Sequence, residues 1–323
     1  MAANFESGVT YGEKSWHGQE SNLAADDVRR YDVVESLREG KMLWRVTKKP
    51  HGIVGDEDES WNGTPAPGAF GVYREDTHAF LGEVGNTFDT MQNEDLFKRA
   101  QQFLDAKQLR VETCGSLDEG RKVYMQFSLA RGPYDIGGGD MIEPKLLFAS
   151  AHNGSMANST LWTPTRTVCA NTLAVALNNN TGIIKVRHTK SQHEALDAVM
   201  QIIDVANRSF EATCIQYKEL LRCKISEADL KKYVKLVLKM DDTPDAVVSK
   251  TTANQFDRIF YLALHGKGQS RSELTAWSAY NGVTEWTSHF RQKNVEARKK
   301  SVWFGASAET NKRALTLASQ LAS

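Results

Sequence analysis

The spacing of apolar residues changes character near residue 190. Before it, apolar positions fall in short alternating or continuous runs that suit strands. Beyond it they recur every three or four residues, as on one face of a helix. Residues 41–47 (KMLWRVT) alternate. Residues 71–85 read as a hairpin turning at Asp76-Thr77, and 109–117 with 121–129 as a second, turning at Asp118-Glu119-Gly120. Two helices interrupt the strands: 33–39, ended by Gly40, and 93–107, whose Leu96, Phe97, Ala100, Phe103 and Leu104 share a face. Residues 1–30 are polar and predict little regular structure beyond an element docked by Trp16 and His17. Residues 56–68 are acidic, then rich in Gly and Pro, and read as a surface loop.

A glycine-rich connector (GPYDIGGGD) leads into the stretch 145–177. Its pattern predicts a strand at 146–150 and a polar turn at His152-Asn153-Gly154-Ser155. A strand at 165–169 follows, entered through Pro164, then a helix at 171–177 with Asn171 as N-cap. One more strand, 183–188, precedes the helical part. There, 192–221 reads as a single long helix, and 226–240 opens on Ser226 and Asp229 at capping-box spacing. Further helices are predicted at 252–265, 273–290 and 306–321. The expected fold is α+β: an antiparallel, hairpin-built sheet with packed helices in a domain of residues 1–190, then a mainly helical region over 191–323.

Composition narrows the class. The hydrophobic share of 41% and charged share of 25% are those of a globular chain with a sizeable core. No apolar run approaches the ~18 residues of a membrane span, and the start lacks the basic-then-apolar pattern of a signal peptide, so a cytoplasmic protein with no membrane partner is expected. The four cysteines form no C-x-x-C, which suits reduced thiols. The net charge of zero conceals a division. Residues 1–143 hold 16 Lys and Arg against 25 Asp and Glu, a balance of −9, so residues 144–323 carry +9. A basic second half hints at a polyanionic partner.

Few motifs survive chemical scrutiny. GSLDEGRK at 115–122 lacks the Lys-Ser/Thr pair and the strand-to-helix turn of a phosphate loop, so nucleotide hydrolysis through it is rejected. Glu143-Pro144-Lys145 matches the end of a metal-dependent nuclease motif, with Asp118 or Asp135 as upstream carboxylates. Acid-x-Lys triplets nevertheless occur four times in the chain, close to what its composition supplies by chance. His152 has no second His or paired Asp at useful spacing, and a local hydrogen bond suits it better than catalysis. Cys169 reads as a structural thiol. Lys185, Arg187, His188 and Lys190 form the best basic cluster, with Lys185 and Arg187 on one face of a strand and Val186 and His188 on the other. With Lys145 and Arg166 they would line a groove for a phosphate backbone; the competing reading is a sheet edge guarded by charge. Trp277, Tyr280, Trp286, Trp303 and Phe304 stand at helical spacing and read as core.

Several segments together resemble a phage/plasmid-like family of unknown function. They are Trp16-His17-Gly18, GSLDEGRKVYMQFSL at 115–129, LLFASAHNGS at 146–155 and TPTRTVCANTLAVAL at 163–177. IKVRHT at 184–189, TAWSAYNGVTEWTSH at 275–289 and VWFG at 302–305 extend the resemblance over nearly the whole chain. It implies a role in mobile-element biology within a bacterial cytoplasm. By fold-level analogy it also suggests ATP-independent single-strand annealing of the RecT, Erf and Redβ kind. The expectation is a non-enzymatic, homo-oligomeric protein that binds single-stranded DNA without cofactor or metal. Lys145, Arg166, Lys185, Arg187 and Lys190 would contact phosphates, Asn171 would cap its helix, and His152 and Asn153 would add polar contacts. The alternatives are a metal-dependent nuclease using Glu143 and Lys145, or an interaction protein that antagonises a host system through the acidic half.

Overall fold

A computed structural model describes residues 7–12, 21–53, 64–130, 132–166, 171–172, 183–200, 203–240, 248–269 and 273–322. In chain order the elements begin with β1 (Ser7–Tyr11), β2 (Ser21–Leu23), α1 (Val33–Glu39), β3 (Val46–Ile53), β4 (Thr64–Arg74) and β5 (Phe80–Val84). Then come α2 (Asn93–Phe97), α3 (Gln101–Asp105), β6 (Leu109–Leu117), β7 (Lys122–Leu129), β8 (Tyr134–Asp135), β9 (Met141–Glu143) and β10 (Lys145–Ala151). β11 (Asn158–Trp162), β12 (Thr165–Arg166), β13 (Asn171–Thr172) and β14 (Ile183–Val186) complete the strands. The helices α4 (Gln192–Met200), α5 (Ile203–Arg222), α6 (Glu227–Leu238), α7 (Lys250–His265), α8 (Ala276–Glu285), α9 (Val295–Phe304) and α10 (Ala306–Ala322) follow. The fold is α+β. No described helix is long and apolar enough to cross a membrane.

The chain forms two compact units, each assembled from three separate stretches. The first takes residues 1–130, 146–161 and 183–203; the second takes 131–145, 162–182 and 204–323. In the first unit, a sheet runs in the order β14-β11-β10-β7-β6-β1-β2, and a smaller one runs β3-β4-β5. The β6–β7 hairpin turns at Asp118, Glu119 and Gly120, all three at positive φ, a conformation open to Gly120 because it carries no Cβ. β10 is buried along its whole length and β6 and β7 almost so, which accounts for their unbroken apolar and small-residue runs. Phe127 and Phe148 meet edge to face at 5.2 Å. β1 corrects the reading of a polar N-terminus: its five residues are all buried, and it pairs antiparallel with β6. The Trp16-His17-Gly18 element and most of the acidic loop lie outside the described residues.

The second unit is organised around α8, every residue of which is buried. Tyr217, Trp277 and Tyr280 pack within 6.3 Å of one another at its start. Gly282 lets α7 approach: a Cβ there would lie 2.7 Å from the backbone nitrogen of Ala263. The helix starts are capped by sequence. Ser226 and Asp229 form the expected reciprocal box, Thr275 and Ser278 form another on α8, and Ser249 caps α7. Past Glu285, α8 widens into a π-helical turn, Trp286–Phe290.

Three predicted elements are redrawn. The helix at 93–107 is broken into α2, a 3₁₀ turn at Lys98–Ala100 and α3. The pattern at 192–221 is shared between α4 and α5. Asn171 does not cap a helix: Asn171 and Thr172 form β13, paired antiparallel with Arg166 and Thr165, and that ladder claims the backbone on which a helix would have started. The rest of the predicted helix, and Cys169, lie outside the described residues.

Candidate nucleic-acid interface

The polar turn after β10 is anchored from within the first unit. Its His152 is only 2% exposed, and its amide nitrogen donates to the carbonyl of Arg121 at 2.9 Å. Asn93 Nδ2 donates to the carbonyl of Met42, which leaves Asn93 Oδ1 to accept from His152 Nε2 at 2.9 Å. The imidazole ring meets Trp44 edge-on at 5.3 Å, and the Arg74 guanidinium lies 4.4 Å over the same indole. Burial, aided by nearby His188 and Arg74, pushes the His152 pKa down to about 3, so the ring is neutral near pH 7. Asn153 closes the turn through Oδ1, which accepts from the Ser155 amide at 3.1 Å. Its Cβ packs against Gly82, where a side chain would collide.

A second chain of neutral groups extends from β10 towards α4. Ser150 donates to Asn158, Asn158 to Gln192, and Gln192 to the carbonyl and carboxylate of Asp89, at 2.8 to 3.1 Å. Asp89 in turn donates its amide to the carbonyl of His188, whose Nε2 meets the Met156 carbonyl at 3.1 Å and whose ring stacks on Phe88. Burial lowers the His188 pKa as well. These contacts lock the strand end in place, with both the His152 and His188 rings buried.

The second unit buries charge. Arg166, 1% exposed, donates from Nε and Nη2 to the two carboxylate oxygens of Asp140, both at 2.7 Å. It also donates to the carbonyls of Lys267 and Gly268 at 3.0 and 2.9 Å, and Trp277 Nε1 donates to Asp140 at 2.8 Å. The loop this clamps is held a second time by Glu285, which accepts from the Lys267 amide and whose pKa is raised by burial. A cleft of about 450 Å³ lies beside it, lined among others by Arg166, His265, Gln269, Glu273, Trp277 and Ser278. Lys145, 4% exposed, is paired with Glu143 at 3.4 Å. Of the other acids in the nuclease reading, Asp118 pairs with Lys122 and Asp135 accepts from the Gly137 amide. No three His, Cys, Asp or Glu side chains among the described residues come together to hold a metal ion.

The predicted site therefore divides. Lys145 and Arg166 direct their charges into the second unit, where Asn171 also lies; His152 and Asn153 hold a turn of the first. Lys185, Arg187 and Lys190 are exposed, as is Ile184, with Val186 half-buried and His188 buried between them. They stand on and just after β14, the last described strand of its sheet, which pairs with β11. These three are the exposed cations of the predicted set.

The family model of a domain of unknown function, DUF932, matches residues 80–313. The chain belongs to the DUF932 family. No curated protein and no solved structure matches it. The DUF932 span begins at β5 and ends within α10, so it takes in Asn93, His152, Asp140, Arg166, Lys185, Arg187 and Lys190, while Met42, Trp44 and Arg74 precede it. Sequence reasoning missed Asp140 and Asn93, the partners that fix Arg166 and His152. They stand 26 and 59 residues away, and no local spacing signals them.

Proposed function

We propose that this DUF932 chain binds single-stranded DNA without chemistry of its own, in strand annealing or protection. The observation that carries the reading is the exposure of Lys185, Arg187 and Lys190, set on a chain whose second half has a balance of +9. Exposed cations on and just after a strand can meet the phosphates of a backbone, and the basic balance draws polyanions over a longer range. The annealing role, homo-oligomeric assembly and a phage or plasmid setting in a bacterial cytoplasm rest on the sequence resemblance.

Anisotropy of labelled single- and double-stranded DNA over a salt series, with the protein sized in parallel, tests this. The expected result is preferential single-strand binding by an oligomer, with log affinity falling linearly in log salt. Absence of binding at low salt overturns it.

A further inference from the structure

Helix α7 carries a set of residues that its own packing does not use. Its inward face holds Ile259, Leu262 and Ala263, all buried. The opposite stripe, Asn254, Arg258, Tyr261 and His265, recurs at the spacing that aligns side chains along one helical face, and all four are exposed. An outward stripe on an amphipathic helix is ordinarily polar. Here Tyr261 is 55% exposed, with its ring 4.9 Å from that of His265. Phe290, at the end of the π-helical turn and 48% exposed, lies 5.0 Å beneath the Arg258 guanidinium. Among the described residues no carboxylate pairs with Arg258. On the flank, Phe256 and Phe260 stack 11° from parallel, with the Lys231 ammonium 5.8 Å over Phe260.

We infer that this stripe is a stacking platform for the unpaired bases of single-stranded DNA, an assignment that rests on the proposed DNA-binding function. Two features select that occupant. Arg258 lies over Phe290 and three residues before Tyr261, so a base can lie on either exposed ring while Arg258 neutralises a phosphate, outweighing the single acid of the helix, Asp257. The sequence around them is basic, and an apolar protein partner would leave those charges unanswered. A duplex keeps its base faces covered, so the platform discriminates for single strands.

The test compares the full chain with the Tyr261→Ala/Phe290→Ala double variant and the ring-preserving Tyr261→Trp variant. The probes are oligodeoxythymidylate and an abasic oligomer of equal length. With two stacking rings removed, the double variant is expected to bind oligodeoxythymidylate at least about 10-fold more weakly. Its salt slope and its affinity for the abasic strand stay unchanged, and Tyr261→Trp retains binding. Equal losses on both probes, or no loss on either, overturn the platform while leaving DNA binding intact. A wild-type chain that binds neither probe removes the platform and the DNA-binding reading together.

Discussion

Each unit buries a polar network, and the two networks differ. In the first unit, where Arg30, Arg74 and Glu112 are buried elsewhere, the network around the polar turn is built from neutral groups: His152 held by the Asn93 amide, and a relay of Ser150, Asn158 and Gln192. In the second, the centre is ionic: Arg166 and Asp140 share two short hydrogen bonds, closed by Trp277 and two loop carbonyls. The neutral network avoids the cost of desolvating ions, but it makes the fold sensitive to acid. The ionic pair depends wholly on both partners being present, because either charge alone in that interior has no water to answer it.

The largest effect expected from breaking this contrast is on the ionic side. Asp140→Ala leaves Arg166 buried without its counter-charge and should cost about 3–5 kcal/mol in chemical unfolding. Replacing both partners, as in Asp140→Leu/Arg166→Met, should recover much of that loss; if the double exchange is as damaging as the single one, the pair is not the reason. On the neutral side the cost is smaller. Asn93→Leu strips His152 Nε2 and the Met42 carbonyl of their partners, for about 1–3 kcal/mol.

Acid sharpens the contrast further. The unfolded chain takes up a proton on His152 below the ordinary imidazole value of 6.5, whereas the folded chain refuses it until about 3. Stability contributed by this residue is therefore complete above pH 6.5 and falls as pH drops, at up to about 1.4 kcal/mol per pH unit. His188, lowered in the same direction, adds to the loss. Hydrogen exchange should show protection lost first around Asn93 and His152, and His152→Gln should flatten the slope between pH 6.5 and 4. A wild-type profile that is already flat there would mean the imidazole is protonated in place. The smallest effect on stability is expected at Lys185, Arg187 and Lys190, whose exchange for Ala should stay within about 0.5 kcal/mol.

The same contrast explains what could be read ahead of the structure. Hairpins, caps and amphipathic helices are local, so the Asp118-Glu119-Gly120 turn, the Ser226–Asp229 box and the buried Trp277, Tyr280, Trp286 and Trp303 were all legible. Strand alternation alone placed Lys185 and Arg187 outward. The destinations of Arg166 and Lys145 were not legible, because a cation beside a buried strand looks the same whether its partner is a phosphate or a carboxylate. Arg166 was decided by Asp140, in a glycine-rich connector that reads as mere linkage. β1 escaped notice because Ser7 to Tyr11 is short and half polar, and its burial comes from pairing with β6 about a hundred residues later.

The most direct test of the central claim is the salt dependence of single-stranded DNA affinity. It should be measured on the wild-type chain and on the Lys185→Ala/Arg187→Ala/Lys190→Ala variant, with thermal unfolding alongside. If these three cations meet the backbone, the variant binds more weakly, its log–log slope is shallower by about 2 (roughly 0.7 for each phosphate no longer neutralised), and its unfolding midpoint does not move. An unchanged slope and affinity would contradict the claim and return the cations on and just after β14 to the guarding of a sheet edge.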